Sequence, residues 1–130
     1  MEINRLGTIL AVKDVNAAVD FYTSNFNFRI EATYENPGYA TLTFGALRLS
    51  LAEQGHPADD LKSVSMQATT QPNLPNVMLV FEVPDCDVAW QNLMSSGVNF
   101  ASEIYRPSWG GARFFIFDLD DYLIEIEQMA

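Results

Sequence analysis

The chain is expected to fold as an α+β protein in which two βαβββ modules form one curved, mixed, largely antiparallel eight-stranded sheet with its helices on the outer face. Three observations predict this. The first is a repeat. Gly7-Thr8-Ile9-Leu10-Ala11-Val12-Lys13-Asp14 and Met78-Leu79-Val80-Phe81-Glu82-Val83-Pro84-Asp85 are both apolar runs closed by an Asp, and the two Asp residues lie 71 positions apart (85 − 14). The second is that helix-like spacing follows each Asp, and strand-like segments follow each helix. The third is alternation along the strands, which sorts apolar residues to one face and a mixed set to the other.

Taken in order, Leu6 to Val12 reads as a strand, and Asp14 is a good N-cap for a helix over Val15 to Asn25, whose apolar positions are Val15, Ala18, Val19, Tyr22 and Phe26. Phe28 to Tyr34 is a second strand, and Asn36-Pro37-Gly38 is turn chemistry. Tyr39 to Phe44 alternates with period two, Gly45-Ala46 turns the chain, and Leu47 to Leu51 alternates again.

A segment from Glu53 to Asn76 shows no period and joins the repeats, as a lid or as a tether. The second half replays the order. Val77 to Val83 is a strand, Asp85 caps a helix over Cys86 to Ser96, and Gly97 closes it as a C′ glycine. Asn99 to Tyr105 and Arg113 to Phe117 are strands around the loop Pro107-Ser108-Trp109-Gly110-Gly111, and Asp118 to Asp121 turns into the last strand, Tyr122 to Glu127. Residues 1–130 therefore read as a single domain of two modules, about 1–52 and 76–130, with the loop 53–75 between them.

Composition narrows the function. Seven Lys and Arg against 17 Asp and Glu give a net charge of −10, which repels nucleic acid and anionic membrane surfaces and tolerates a cationic small molecule. No apolar run reaches the roughly 18 residues of a membrane span, and the start Met1-Glu2-Ile3-Asn4-Arg5 lacks the plan of a signal peptide, so a cytoplasmic location is expected. The single cysteine, Cys86, cannot form an internal disulfide or a multi-cysteine metal cluster; it has no histidine near it in sequence to act as a base, and it reads as structural. The single histidine, His56, lies beside Gly55 and Pro57 in the central segment and reads as a solvated loop residue.

Val12-Lys13-Asp14-Val15, Phe21-Tyr22, Trp109-Gly110-Gly111, Phe117-Asp118 and the closing Tyr122-Leu123-Ile124-Glu125-Ile126 stand in an order and spacing that resembles the vicinal oxygen chelate superfamily. That group takes in glyoxalase I, extradiol dioxygenases, fosfomycin-resistance proteins and bleomycin-resistance proteins. The resemblance covers essentially the whole chain and is closest in character to the bleomycin-resistance branch. It implies that metal-using relatives would place their ligands at the positions held here by Gly7, about Ser50, Met78 and Glu125. Gly7 has no side chain, and Met78 offers a thioether suited to soft metals. One carboxylate does not make a divalent site. Neither a metal nor another cofactor is therefore expected.

If those four positions face a cleft, alternation adds Ile9, Ala11, Arg48, Val80, Glu82, Leu123 and Glu127 to the same side. Leu10, Val12, Leu47, Leu49, Leu51, Leu79, Phe81, Val83, Ile124 and Ile126 then form the helix-covered side. The expected ligand-binding residues are Arg48, Met78, Glu82 and Glu125, together with the aromatics Tyr39, Tyr105 and Trp109. Arg48 could equally do no more than pair with one of the carboxylates. Among resembling bleomycin-resistance proteins an aromatic near position 109 stacks on a flat ligand ring, and the binding unit is a homodimer. The reading that follows is a small-molecule-binding protein that sequesters an amphipathic or cationic ligand between modules without metal. The alternative is a metal-dependent lyase, isomerase or dioxygenase with atypical ligands. A metal-free enzyme with Glu82 or Glu125 as base is a further possibility, and no catalytic residue is assigned.

Overall fold

The computed structural model describes residues 1–55 and 60–130, and His56 lies outside the described residues. The chain divides into two compact units, Met1–Ala68 and Thr69–Ala130. The first contains β1 (Gly7–Val12), α1 (Val15–Asn25), β2 (Arg29–Tyr34), β3 (Tyr39–Phe44) and β4 (Leu47–Glu53). The second contains β5 (Met78–Glu82), α2 (Cys86–Ser95), β6 (Asn99–Phe100), β7 (Ala112–Phe117) and β8 (Leu123–Gln128). Both are βαβββ modules.

Each module closes its own four-stranded sheet, in the orders β1-β4-β3-β2 and β5-β8-β7-β6. This corrects the single eight-stranded sheet expected from the sequence. The last strand of each module returns parallel to the first, β4 on β1 and β8 on β5, so each first strand is an edge of its own sheet and, among the described residues, pairs with no strand of the other module. The other pairs are antiparallel, so each sheet is mixed and largely antiparallel as expected.

Local chemistry explains the repeated helix starts. The Asp14 carboxylate accepts the backbone N–H of Ala17 at 3.0 Å, and that of Asp85 accepts those of Asp87 and Val88 at 2.8 and 3.0 Å. Each satisfies N–H groups that the helix cannot pair internally, a contribution of about 1 kcal/mol per cap. Gly97 follows α2 with φ of 72°, the left-handed conformation expected of a residue just past a helix end.

One face of each sheet is buried under its helix. In the first unit Leu10, Val12, Ala40, Leu42, Leu49 and Leu51 are buried, as are Ala18, Val19, Phe21 and Tyr22 of α1. In the second, Phe114, Ile116, Ile124 and Ile126 are buried, with Cys86 and Leu93 of α2. Trp90 stands edge-on to Phe114, their ring centres 5.1 Å apart. Each fully buried large apolar side chain contributes about 1.5–3 kcal/mol, so these faces carry the fold. Two expectations fail. Leu47, placed on the covered side, is 56% exposed, because it opens β4 beside the turn at Gly45. The strand expected over Asn99–Tyr105 stops at Phe100. Ala101 and Ser102 both donate their N–H to the Phe115 carbonyl, at 2.8 and 3.3 Å, and the Ser102 hydroxyl accepts the Phe115 N–H at 3.0 Å. A side chain thus replaces a main-chain partner and breaks the ladder, which resumes only as a single bridge between Tyr105 and Arg113.

Candidate ligand site on the second sheet

The side of the second sheet away from its buried Phe114 and Ile124 is built from three cross-strand rows. They are Met78–Leu123–Phe117, Val80–Glu125–Phe115 and Glu82–Glu127–Arg113. Three of the expected site residues, Met78, Glu82 and Glu125, thus share one face. Glu125 stands at the centre of the middle row between an aliphatic and an aromatic neighbour, and it is 7% exposed. Its carboxylate lies 3.6 Å from Arg113, whose side chain is 48% exposed.

Arg113 is the residue that sequence reasoning missed. The same alternation that placed Glu125 would have placed Arg113, Phe115 and Phe117 beside it, had it been carried across to β7. Its guanidinium lies 5.7 Å from the Tyr105 ring centre and 5.9 Å from that of Phe115. Tyr105 is held there by its main chain, which exchanges two hydrogen bonds with Arg113, of 2.8 and 3.0 Å. The structure therefore brings Tyr105 together with Glu125 through a cation between two rings.

The energetics decide what this arrangement can do. At 3.6 Å the ion pair is long, and its guanidinium is half in solvent while its carboxylate is buried, so the Arg113 side is the one that water can already replace. Cation–π contacts at exposed rings add about 0.5–1 kcal/mol each. A ligand cation can replace Arg113 at Glu125 for a small cost, whereas leaving the carboxylate buried and unpaired would cost more.

Trp109 is 76% exposed and stacks on no other ring among the described residues. Its loop is anchored behind it. Gly111 has φ of 77°, and a Cβ there would meet the Gln128 carbonyl oxygen at 2.6 Å, so only glycine lets the loop lie against the end of β8.

The remaining two expected residues lie on the first sheet. Arg48 pairs in register with Gly7 and Thr43, and Tyr39 pairs with Ala52 two cross-strand rows along the same face, its ring 6.3 Å from that of Tyr34. Arg48 forms no ion pair with a carboxylate among the described residues. An open hollow of about 750 Å³ at the start of β2 is lined by Asn27, Phe28, Arg29, Thr43 and Phe44. It is polar and broad, unlike the mostly apolar clefts that hold small molecules.

Cys86 is fully buried and donates its Sγ–H to the Ala112 carbonyl at 3.4 Å. Burial pushes its pKa above the ordinary thiol value, outweighing the Arg106 charge that lowers it. It is held as a thiol and serves packing.

The chain matches the family model of the Glyoxalase/Bleomycin resistance protein/Dioxygenase superfamily over residues 3–126. It belongs to that superfamily. Among solved structures it is similar to TioX from Micromonospora sp. ML1, with 21% identity, 97% of this chain and 98% of that one covered, and a TM-score of 0.75. A lactoylglutathione lyase from Agrobacterium tumefaciens is similar at 17% identity, covering 95% and 91%, with a TM-score of 0.72. The fosfomycin resistance protein FosX from Listeria monocytogenes is similar at 15% identity, covering 100% and 94%, with a TM-score of 0.71. At such identities the likeness establishes the fold alone. No curated protein sequence matches the chain.

The superfamily raises the question of a metal. The corner that would take the first ligand is Gly7, and the Arg48 guanidinium lies against it. Ser50 is buried beside the Thr41 hydroxyl at 3.4 Å, Met78 offers sulfur, and Glu125 faces a guanidinium. Among the described residues no three His, Cys, Asp or Glu side chains come together as a metal-holding group. These donors do not fit a hard divalent cation. Among the described residues, too, no helix is long and apolar enough to cross a membrane.

Proposed function

We propose that the protein is a small-molecule-binding member of the superfamily that holds an amphipathic cation on the open face of the second sheet, without a metal. Glu125 supplies the counter-charge, Met78, Val80 and Phe115 the apolar floor, and Tyr105 a ring for stacking. Trp109 is a second exposed ring on the same unit. The observation that carries this reading is Glu125 itself. It is a carboxylate almost wholly withdrawn from water on a face without a helix, paired among the described residues only with a half-solvated arginine. A buried charge demands a partner, and this one is easily exchanged. The acidity of the chain favours the approach of a cation over that of an anion to the molecule as a whole.

The test is calorimetric titration with a flat aromatic cation such as an N-methylquinolinium salt. Glu125→Gln keeps the shape and removes the charge, and it is expected to weaken binding about tenfold or more, the worth of one charge-assisted contact. Equal affinity in the two proteins would remove Glu125 from the site and with it this reading.

A further inference from the structure

We propose that the first sheet carries a separate site for an oxyanion, a carboxylate or phosphate group, on the Arg48 guanidinium. The inference goes beyond the cation reading and does not depend on it. It begins with a steric fact. A Cβ at position 7 would meet Arg48 Nε at 2.6 Å, one terminal nitrogen at 2.9 Å and Cζ at 3.2 Å. The guanidinium therefore lies close over the β1 backbone, in space that a side chain at position 7 would compete for. Arg48 is exposed, so its planar fork of donors is within reach of a ligand, and that fork matches two oxygens of a carboxylate or phosphate.

The second fact is electrostatic. Arg5, Arg106 and Arg113 each hold a carboxylate, on Glu31, Asp87 and Glu125. Arg48 holds none among the described residues, in a chain with 17 Asp and Glu against seven Lys and Arg. Its row-mates across the ladder are Gly7 and Thr43, and the next row along the same face is Ile9, Ser50 and Thr41. None of these is acidic. Beyond Thr43 the row continues to Arg29, a second positive charge. An exposed guanidinium that holds no carboxylate among the described residues, with glycine and a hydroxyl residue as its row-mates, has the chemistry of an anion site.

The test uses the full chain labelled with ¹⁵N and titrated separately with inorganic phosphate and with acetate at constant ionic strength. The Arg48 Nε–H and Gly7 amide signals are followed. A saturable shift of both signals is expected, and the probe that saturates at lower concentration identifies the class of oxyanion. Arg48→Gln should abolish saturation. Gly7→Ala should weaken it about tenfold by displacing the guanidinium, since only a flexible side chain has to move and the fold is kept. Shifts that rise linearly, that persist in Arg48→Gln, or that follow the Arg29 Nε–H instead would overturn the assignment. Titration of Glu125→Gln with phosphate separates the two sites, because this response is expected to be unchanged there.

Discussion

The two sheets share one ladder and differ on their open faces. At equal positions in the register, Gly7–Arg48–Thr43 in the first corresponds to Met78–Leu123–Phe117 in the second, and Ile9–Ser50–Thr41 corresponds to Val80–Glu125–Phe115. One face has a cation over glycine among small hydroxyls. The other has a withdrawn carboxylate among rings and aliphatics. The covered faces show no such contrast: Leu42, Leu49 and Leu51 correspond to Ile116, Ile124 and Ile126, all buried. The lesson is that the covered side and the Asp caps specify the module, whereas the open side is free to take on different chemistry in each copy.

The comparison can be broken first on stability. Phe114→Ala should cost about 3–5 kcal/mol in urea unfolding, because it empties a covered position beneath Trp90. Phe115→Ala, one residue along and on the open side, should cost about half of that or less. Equal costs would show that the open face carries the fold as much as the covered one does.

Cys86 offers a finer test, since Val15 holds its place in the first module. With the folded thiol's pKa raised, the unfolded chain loses its proton first. Stability is then complete below the unfolded thiol pKa of about 8.5 and falls above it, by at most about 1.4 kcal/mol per pH unit. Cys86→Val should remove that alkaline slope, as measured by urea midpoints across this range. A slope that survives the substitution would assign it to another group.

Two smaller effects concern the ligand face. Trp109→Ala should weaken capture of the aromatic cation by about 0.5–1.5 kcal/mol, read by calorimetry, while the thermal midpoint stays put. An unchanged affinity would leave the ring outside the site. Arg113→Met should strengthen binding by about 0.2–1 kcal/mol, because the ligand no longer displaces a resident cation. Weaker binding in that variant would mean that Arg113 serves the ligand and does not compete with it.

Much of this was legible in the chain. The repeated Asp caps, the glycine after α2 and the alternation of β1, β4 and β8 located both modules and put Glu125 on the side of its sheet opposite Ile124 and Ile126. What escaped detection depends on partners distant in sequence. The end of β6 is decided by the Ser102 hydroxyl meeting Phe115, and no local pattern announces that contact. Gly7 looked merely like an absent ligand, yet its meaning lies in Arg48, a neighbour only through the parallel pairing of β1 with β4. Arg113 was readable in principle, since Arg113, Phe115 and Phe117 alternate against Phe114 and Ile116.

The interrupted ladder at Ser102 has a bearing on solubility. An incoming polypeptide that tried to extend the second sheet past β6 would find two residues to pair with before the backbone turns its hydrogen bonds inward. Long, regular borders invite that kind of growth, and a stub so short gives it little purchase. The serine that spoils the strand thereby leaves that border of the sheet little to pair with.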